Sequence, residues 1–250
     1  MFKFVLDCSK VFTVFCLVLV NIFQYCILEK TLSNRLFNTF TKIVLSVLNV
    51  KVVIHGNVSY LQDPNMLIMA NHYDGLDALV MYTIIQPPIF LFVVGKHDIV
   101  GNVHDNNIVS NSLFLIKDIF TKSIHLISYK KNDKDSGVLV KNTIVDVLNN
   151  ENNSVLVFPE GTTHKGGIPK DFKSGIFHLA CENNMTILPI TIVYEKDIGT
   201  EITDPVDFFS CINNICHIYV HDKMSNTDFA CLKEQTFNAI NSPFLKIKHN

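Results

Sequence analysis

The sequence predicts an α/β protein with a mostly parallel central sheet flanked by helices, preceded by an N-terminal membrane-associated helical segment. Three observations predict it. Short β-branched runs alternate with longer helical patterns. An uncharged apolar run stands near the N-terminus. The composition is 48% hydrophobic with 18% charged residues, and the mean hydropathy is +0.26, whereas a soluble domain carries about a quarter charged residues. Part of the chain is therefore expected to meet lipid.

The length of 250 residues allows one well-buried α/β domain with an appendage. The expected division is a membrane anchor and amphipathic helix over 1–49 and a catalytic domain over 50–250. Within the first part, VFTVFCLVLVNIFQYCIL at 11–28 carries no charge. A helix of that length reaches about 27 Å, close to the roughly 30 Å hydrocarbon core of a bilayer. It is followed by Glu29, Lys30 and Arg35 rather than by a small-residue cleavage site, which argues for an anchor over a removable signal. Spanning, monotopic insertion and a buried helix all fit the pattern. Next, Leu36, Phe40, Ile43, Val44 and Val47 recur at helical spacing, so this stretch reads as an apolar-faced helix, on the bilayer or in a core. The basic residues after the apolar run predict a catalytic domain that faces the cytosol.

The runs VKVVI (50–54), MLIMA (66–70), IFLFVV (89–94), IHLIS (124–128), SVLVF (154–158) and ILPITIVY (187–194) read as strands. Helical patterns occupy 133–150 and 171–184, and the stretch from Pro159 to Pro169 is rich in loop residues.

Charge and cysteines exclude other classes. A formal net charge of −2 does not supply the clustered cations that a nucleic-acid binder uses to neutralise phosphates. Seven cysteines form no C-x-x-C pair, and their odd number fits reduced thiols in a reducing compartment.

Two constellations carry chemistry. In ANHYDGLD (70–77), His72 is followed five residues later by Asp77 as a strand gives way to a helix. A carboxylate on Nδ1 of an imidazole leaves Nε2 free as a base and steadies the imidazolium that forms, which is what activating an alcohol needs. The spacing alone is weak: His217 and Asp222 repeat it in HIYVHD, a strand-like run where odd separations point side chains to opposite faces. The second constellation is VFPEGTT at 157–163, a strand running into a glycine turn. Such a turn can offer backbone N–H groups to a phosphate, and Lys165, Lys170 or Lys173 can add charge there. A covalent route has little support. No G-x-S-x-G elbow occurs, and Cys216 is the one cysteine adjacent to a histidine of these pairs. A metal site built from His72, Asp74 and Asp77 lacks recognised ligand spacing, and Asp74 reads better as a helix N-cap. Phe172 and Phe177 fit an acyl groove or, more simply, a core.

In order along the chain, NH-x4-D, FPEGT, FKSGIFHLA (172–180) and LPITI (188–192) resemble the glycerolipid acyltransferases, notably the 1-acylglycerol-3-phosphate acyltransferases, over roughly 50–195. The string FPEGT arises by chance on the order of once in 10⁴ sequences of this length. The resemblance implies that His72 is the general base, Asp77 its orienting partner, and that Glu160, Gly161 and Thr162 help hold the acceptor. It implies acyl-CoA or acyl-carrier protein as co-substrate without a bound cofactor, a lysophosphatidic acid as membrane lipid acceptor, and a bilayer as partner. The chain departs from the family where relatives carry an arginine for the acceptor phosphate. Here SYKKND offers Tyr129, Lys130 and Lys131, and Lys130 supplies charge without the bidentate fork. Ser123 and Thr163 replace two further family residues. The departures leave open a glycerol 3-phosphate or larger lysophospholipid acceptor, and an inactive lipid-binding protein is the remaining class.

Overall fold

The computed structural model describes residues 30–73, 76–85, 89–95, 126–130, 134–150, 153–163, 168–195 and 213–247, together with Thr13. Seven strands form one sheet: β1 (Lys51–Gly56), β2 (Leu67–Ala70), β3 (Ile89–Gly95), β4 (Leu126–Lys130), β5 (Ser154–Val157), β6 (Ile187–Tyr194) and β7 (Ile215–Val220). Their order across the sheet is β1-β7-β6-β2-β5-β3-β4. All neighbouring pairs are parallel except β6 with β7, so β1 and β7 run against the other five. The helices are α1 (Lys30–Val47), α2 (Asp77–Ile84), α3 (Lys134–Asn150), α4 (Gly175–Glu182) and α5 (Phe229–Ile247).

Burial explains why the apolar runs are strands. Every residue of β2 and of β5 is buried, as expected of interior strands covered on both faces, and that is why they read as continuous apolar runs rather than alternations. At the antiparallel end, β7 alternates between buried and half-buried positions.

Connection handedness sets the layers. The chain leaves β2 through α2 and passes β5 to reach β3, while it leaves β5 through α4 and passes β2 to reach β6. Right-handed crossovers in opposite directions must lie on opposite faces of the sheet. Accordingly, Ile68 and Ala70 of β2 pack with Val80 and Met81 of α2, with Val44 and Leu45 of α1 and with Leu48 just after it. Leu67 and Met69 face the other way, onto Ile144 of α3, Phe177 of α4 and Leu232 of α5.

The stretch expected as an apolar-faced helix is α1, whose Phe40, Val44 and Leu45 lie in the core. Asn38 Nδ2 also donates to the Tyr82 carbonyl of α2 at 2.8 Å. No helix among the described residues is long and apolar enough to cross a membrane. The run at 11–28 lies outside the described residues, apart from Thr13. The transmembrane helix therefore stays an expectation. Phe172 and Phe177 are core residues, and Phe172 meets Phe237 of α5 edge-on at 5.1 Å.

One residue of α5 explains an irregularity. Pro243 sits inside the helix and cannot donate to the Ala239 carbonyl. Ser242 Oγ takes that acceptor at 2.9 Å, and Thr191 Oγ1 of β6 donates to the next carbonyl, Ile240, at 2.7 Å. The weakened turn thus becomes the point where α5 fastens to the sheet.

Gly56, which ends β1, has φ of 91°, and a Cβ there would lie 2.1 Å from the Val220 carbonyl oxygen of β7. Gly56→Ala is expected to destabilise the protein by about 2 kcal/mol, measured as a lower urea midpoint with an unchanged slope.

Candidate active site

The C-terminal ends of β2 and β5 are neighbours, with Met69 paired to Val157, and the loops that follow them build the site. This is where open parallel sheets present their functional residues. After Ala70 the chain leaves the sheet. Asn71 holds the exit in place, because its Nδ2 donates to the Ile192 carbonyl at 2.9 Å and its Oδ1 accepts from the Ile192 N–H at 2.7 Å.

His72 follows, and Asp77 is the first residue of α2. The carboxylate meets the ring: His72 Nδ1 and Asp77 Oδ2 are 3.0 Å apart. The Tyr73 N–H donates to the same oxygen at 2.6 Å, and the Tyr194 hydroxyl donates to Oδ1 at 3.0 Å. Asp77 has 0% exposure. Removing a carboxylate from water costs several kcal/mol, and donors on both oxygens offset that cost. Its place in the first turn of a helix is also favourable for negative charge. Asp74 and Gly75 lie outside the described residues.

The imidazole is 22% exposed and held at three points. Asp77 engages Nδ1 at one edge. The Phe158 ring stacks on its face, with centroids 4.1 Å apart and planes within 13°. The His72 backbone N–H donates to Glu160 Oε1 at 2.8 Å. With the ring fixed in this way, Nε2 is left on the edge away from the carboxylate. A base whose other nitrogen faces a carboxylate can take a proton from an alcohol and return it to a leaving group.

Glu160 was expected to help hold an acceptor, and its carboxylate has a different set of contacts. Oε1 accepts from His72, Oε2 accepts from the Lys170 N–H at 2.8 Å, and the side chain is buried. It thereby ties the β2 loop, the β5 turn and the segment leading to α4 together. Burial pushes its carboxyl above the usual carboxylate range, against the two N–H donors, which pull it down.

Gly161 has φ of 69°, the left-handed conformation that a turn requires of glycine. Its N–H donates to the Phe158 carbonyl at 3.0 Å, so that donor closes the turn. Thr162 is exposed beside it. The stem of Lys173 lies over Gly161, with Cγ 3.8 Å from where a Cβ would be, and its N–H donates to the Pro159 carbonyl at 2.8 Å. Gly161, Thr162 and Lys173 thus share one exposed corner next to His72. Lys130 closes β4 at the far edge of the sheet, two strands beyond β5.

The second histidine–aspartate spacing forms no pair. His217 of β7 contacts Glu195 Oε1 at 2.9 Å through Nε2 and His55 at 2.8 Å through Nδ1, while Asp222 follows the end of the strand. Cys216 has 0% exposure, and burial holds its thiol far above the usual range, so it does not supply a thiolate nucleophile.

A loop-borne imidazole paired with a buried carboxylate at the carboxyl ends of a parallel sheet is an arrangement suited to general-base chemistry. The family model described as Acyltransferase matches residues 51–193, and the chain belongs to that family. Among curated relatives, the 1-acyl-sn-glycerol-3-phosphate acyltransferase of Borreliella burgdorferi is 27% identical over 162 residues, 64% of this chain and 58% of that protein. The Escherichia coli protein of the same name is 28% identical over 131 residues, covering 51% of this chain and 46% of that one. The matches thus span about half the length of these relatives. The fold is similar to the crystal structure of the 1-acyl-sn-glycerophosphate acyltransferase of Thermotoga maritima. The TM-score is 0.71 at 12% identity, covering 99% of this chain and 96% of that one.

Asp77→Asn keeps the shape but replaces an acceptor facing Nδ1 with either a donor or a weaker acceptor. Acyl transfer is expected to fall about 10³-fold or more in kcat, with an unchanged circular dichroism spectrum. Glu160→Gln leaves one of the two backbone N–H groups with a neutral acceptor and sets the other against an amide NH2, and a loss of roughly tenfold to a hundredfold in kcat/KM is expected from the same assay.

Proposed function

We propose that this protein transfers a fatty acyl group from an acyl thioester, acyl-CoA or acyl-carrier protein, to the free hydroxyl of a lysophosphatidic acid in phospholipid biosynthesis. The observation that carries the reading is the His72 ring, fixed by Asp77, Phe158 and the Glu160-bound backbone, beside the exposed corner of Gly161, Thr162 and Lys173. The relatives named as 1-acyl-sn-glycerol-3-phosphate acyltransferases support the choice of acceptor.

In this reading the acceptor hydroxyl approaches His72 Nε2. As its oxygen attacks the thioester carbonyl carbon, its proton passes to Nε2 and Asp77 steadies the imidazolium. The tetrahedral adduct then breaks its carbon–sulfur bond, and the departing thiolate takes the proton back from Nε2. An ester and a free thiol result, and His72 is again neutral. No acyl-enzyme forms. The acceptor phosphate rests at the corner of Gly161 and Thr162 with the Lys173 ammonium as counter-charge, and Lys130 supplies a further cation. Residues 1–49 keep the protein at the bilayer that holds its lipid substrate, with the catalytic domain on the cytosolic side.

A second reading follows from one substitution: Lys130 stands where the resemblance calls for an arginine, and an ammonium lacks the bidentate fork that selects a terminal phosphate. Glycerol 3-phosphate or a lysophospholipid with a larger headgroup would then be the acceptor. The test is a panel of these acceptors with one labelled acyl-CoA. Lysophosphatidic acid is expected to be acylated fastest, and His72→Ala to abolish the transfer while remaining folded and membrane-bound. Full turnover by His72→Ala would overturn the proposed base, and no transfer to any acceptor would favour an inactive lipid-binding protein.

A further inference from the structure

Asp77 has two oxygens, and the contact with His72 uses one of them. A carboxylate free to rotate about its own axis would exchange them and carry the imidazole out of line, so the second oxygen matters as much as the first. It is held by Tyr194, the last residue of β6, whose hydroxyl donates to Oδ1 at 3.0 Å. The Tyr194 ring packs against the Tyr73 ring, with centroids 5.2 Å apart at 41°, and the Tyr73 N–H holds the other oxygen at 2.6 Å. The two tyrosines therefore bracket the carboxylate from β6 and from the β2 loop.

Tyr194 pairs in the ladder with Cys216 of β7, whose thiol is buried. Burial and the charge of Asp77 keep the thiol protonated. The contacts run from Tyr194 to Asp77 and on to His72, with the thiol of Cys216 protonated behind them.

We propose that Tyr194 is a positioning residue for acyl transfer: its hydroxyl fixes the rotation of the Asp77 carboxylate and weakens its basicity, so that the Nδ1 proton stays on the imidazole while Nε2 takes up the acceptor's proton and releases it to the leaving thiolate. It touches no substrate and acts through Asp77. The inference rests on the acyl-transfer reading for its kinetic consequence, whereas its effect on the imidazole is independent of the substrate. Among the described residues, the titratable groups around Asp77 include His72 and Tyr73 on the loop before it, Tyr194 on β6, Cys216 on β7 and Glu160 on the turn after β5.

The test uses the full chain in detergent micelles with ¹⁵N-labelled histidine, comparing the unsubstituted protein with Tyr194→Phe. The ring and its packing remain in that variant and only the donor is lost. Without the donor, the Asp77 charge is less dispersed and binds the imidazolium more strongly, so the His72 titration midpoint is expected to move to higher pH. The acid limb of the kcat profile should move with it. In addition, kcat is expected to fall about tenfold, with KM for donor and acceptor within about twofold. A titration midpoint and acid limb that stay in place would overturn the inference even if activity dropped, because a loss through packing alone would not move them. If neither protein acylates any acceptor, the functional reading fails, and the nuclear magnetic resonance titration still decides the role of Tyr194.

Discussion

A carboxylate removed from water must find its donors inside the protein, and Asp77 imposes that requirement on three separate parts of the chain. The ring of His72, the backbone N–H of Tyr73 and the hydroxyl of Tyr194 all converge on it. The first two come from the loop after β2 and the third from the end of β6, 117 residues away from Asp77. The loop can take its shape only with α2 starting at Asp77, and β6 can deliver Tyr194 only as the direct neighbour of β2. Sheet order, loop conformation and dyad geometry are thus one problem with one solution, and the several kcal/mol at stake in an unpaired buried charge make the alternatives costly.

Topology then brings in the second motif. The connections leaving β2 and β5 cross over opposite faces of the sheet, and the two strands lie side by side with their carboxyl ends adjacent. Residues 88 positions apart become bonded neighbours there, as Glu160 accepts from the His72 backbone. Phe158 and Glu160 lie on either side of Pro159, one against the face of the imidazole and the other against its backbone. The turn of the second motif therefore acts on the base itself, in addition to shaping the corner next to it.

Much of this was legible in the residues, for identifiable reasons. Strands buried on both faces have to be continuous apolar runs, so MLIMA, SVLVF and ILPITIVY announced β2, β5 and β6 within a residue or so. His72 and Asp77 sit on one local loop, so their spacing carried their geometry. The contacts made across the fold left no such trace. Tyr194 reads in sequence as the end of an apolar strand, since its role depends on which strand lies beside β6. Glu160 stands in a recognisable motif, yet its acceptance of two backbone N–H groups follows from where β2 and α4 meet the turn. The helix α5 went unread because Pro243 interrupts its pattern, and the contacts of Ser242 and Thr191 that compensate for it are tertiary. Likewise, α1 had the same apolar periodicity whether it faced lipid or protein, and packing against α2 gave its buried face a partner.

In the proposed reaction, the paired imidazole of residue 72 removes a proton from an acceptor hydroxyl whose anionic end rests at the glycine turn. A structure of the protein with bound lysophosphatidic acid tests it most directly. The account requires the free hydroxyl within about 2.6–3.2 Å of His72 Nε2, with the phosphate against Gly161, Thr162 and the Lys173 ammonium. A hydroxyl turned away from that nitrogen, or a phosphate seated elsewhere on the protein, would contradict it.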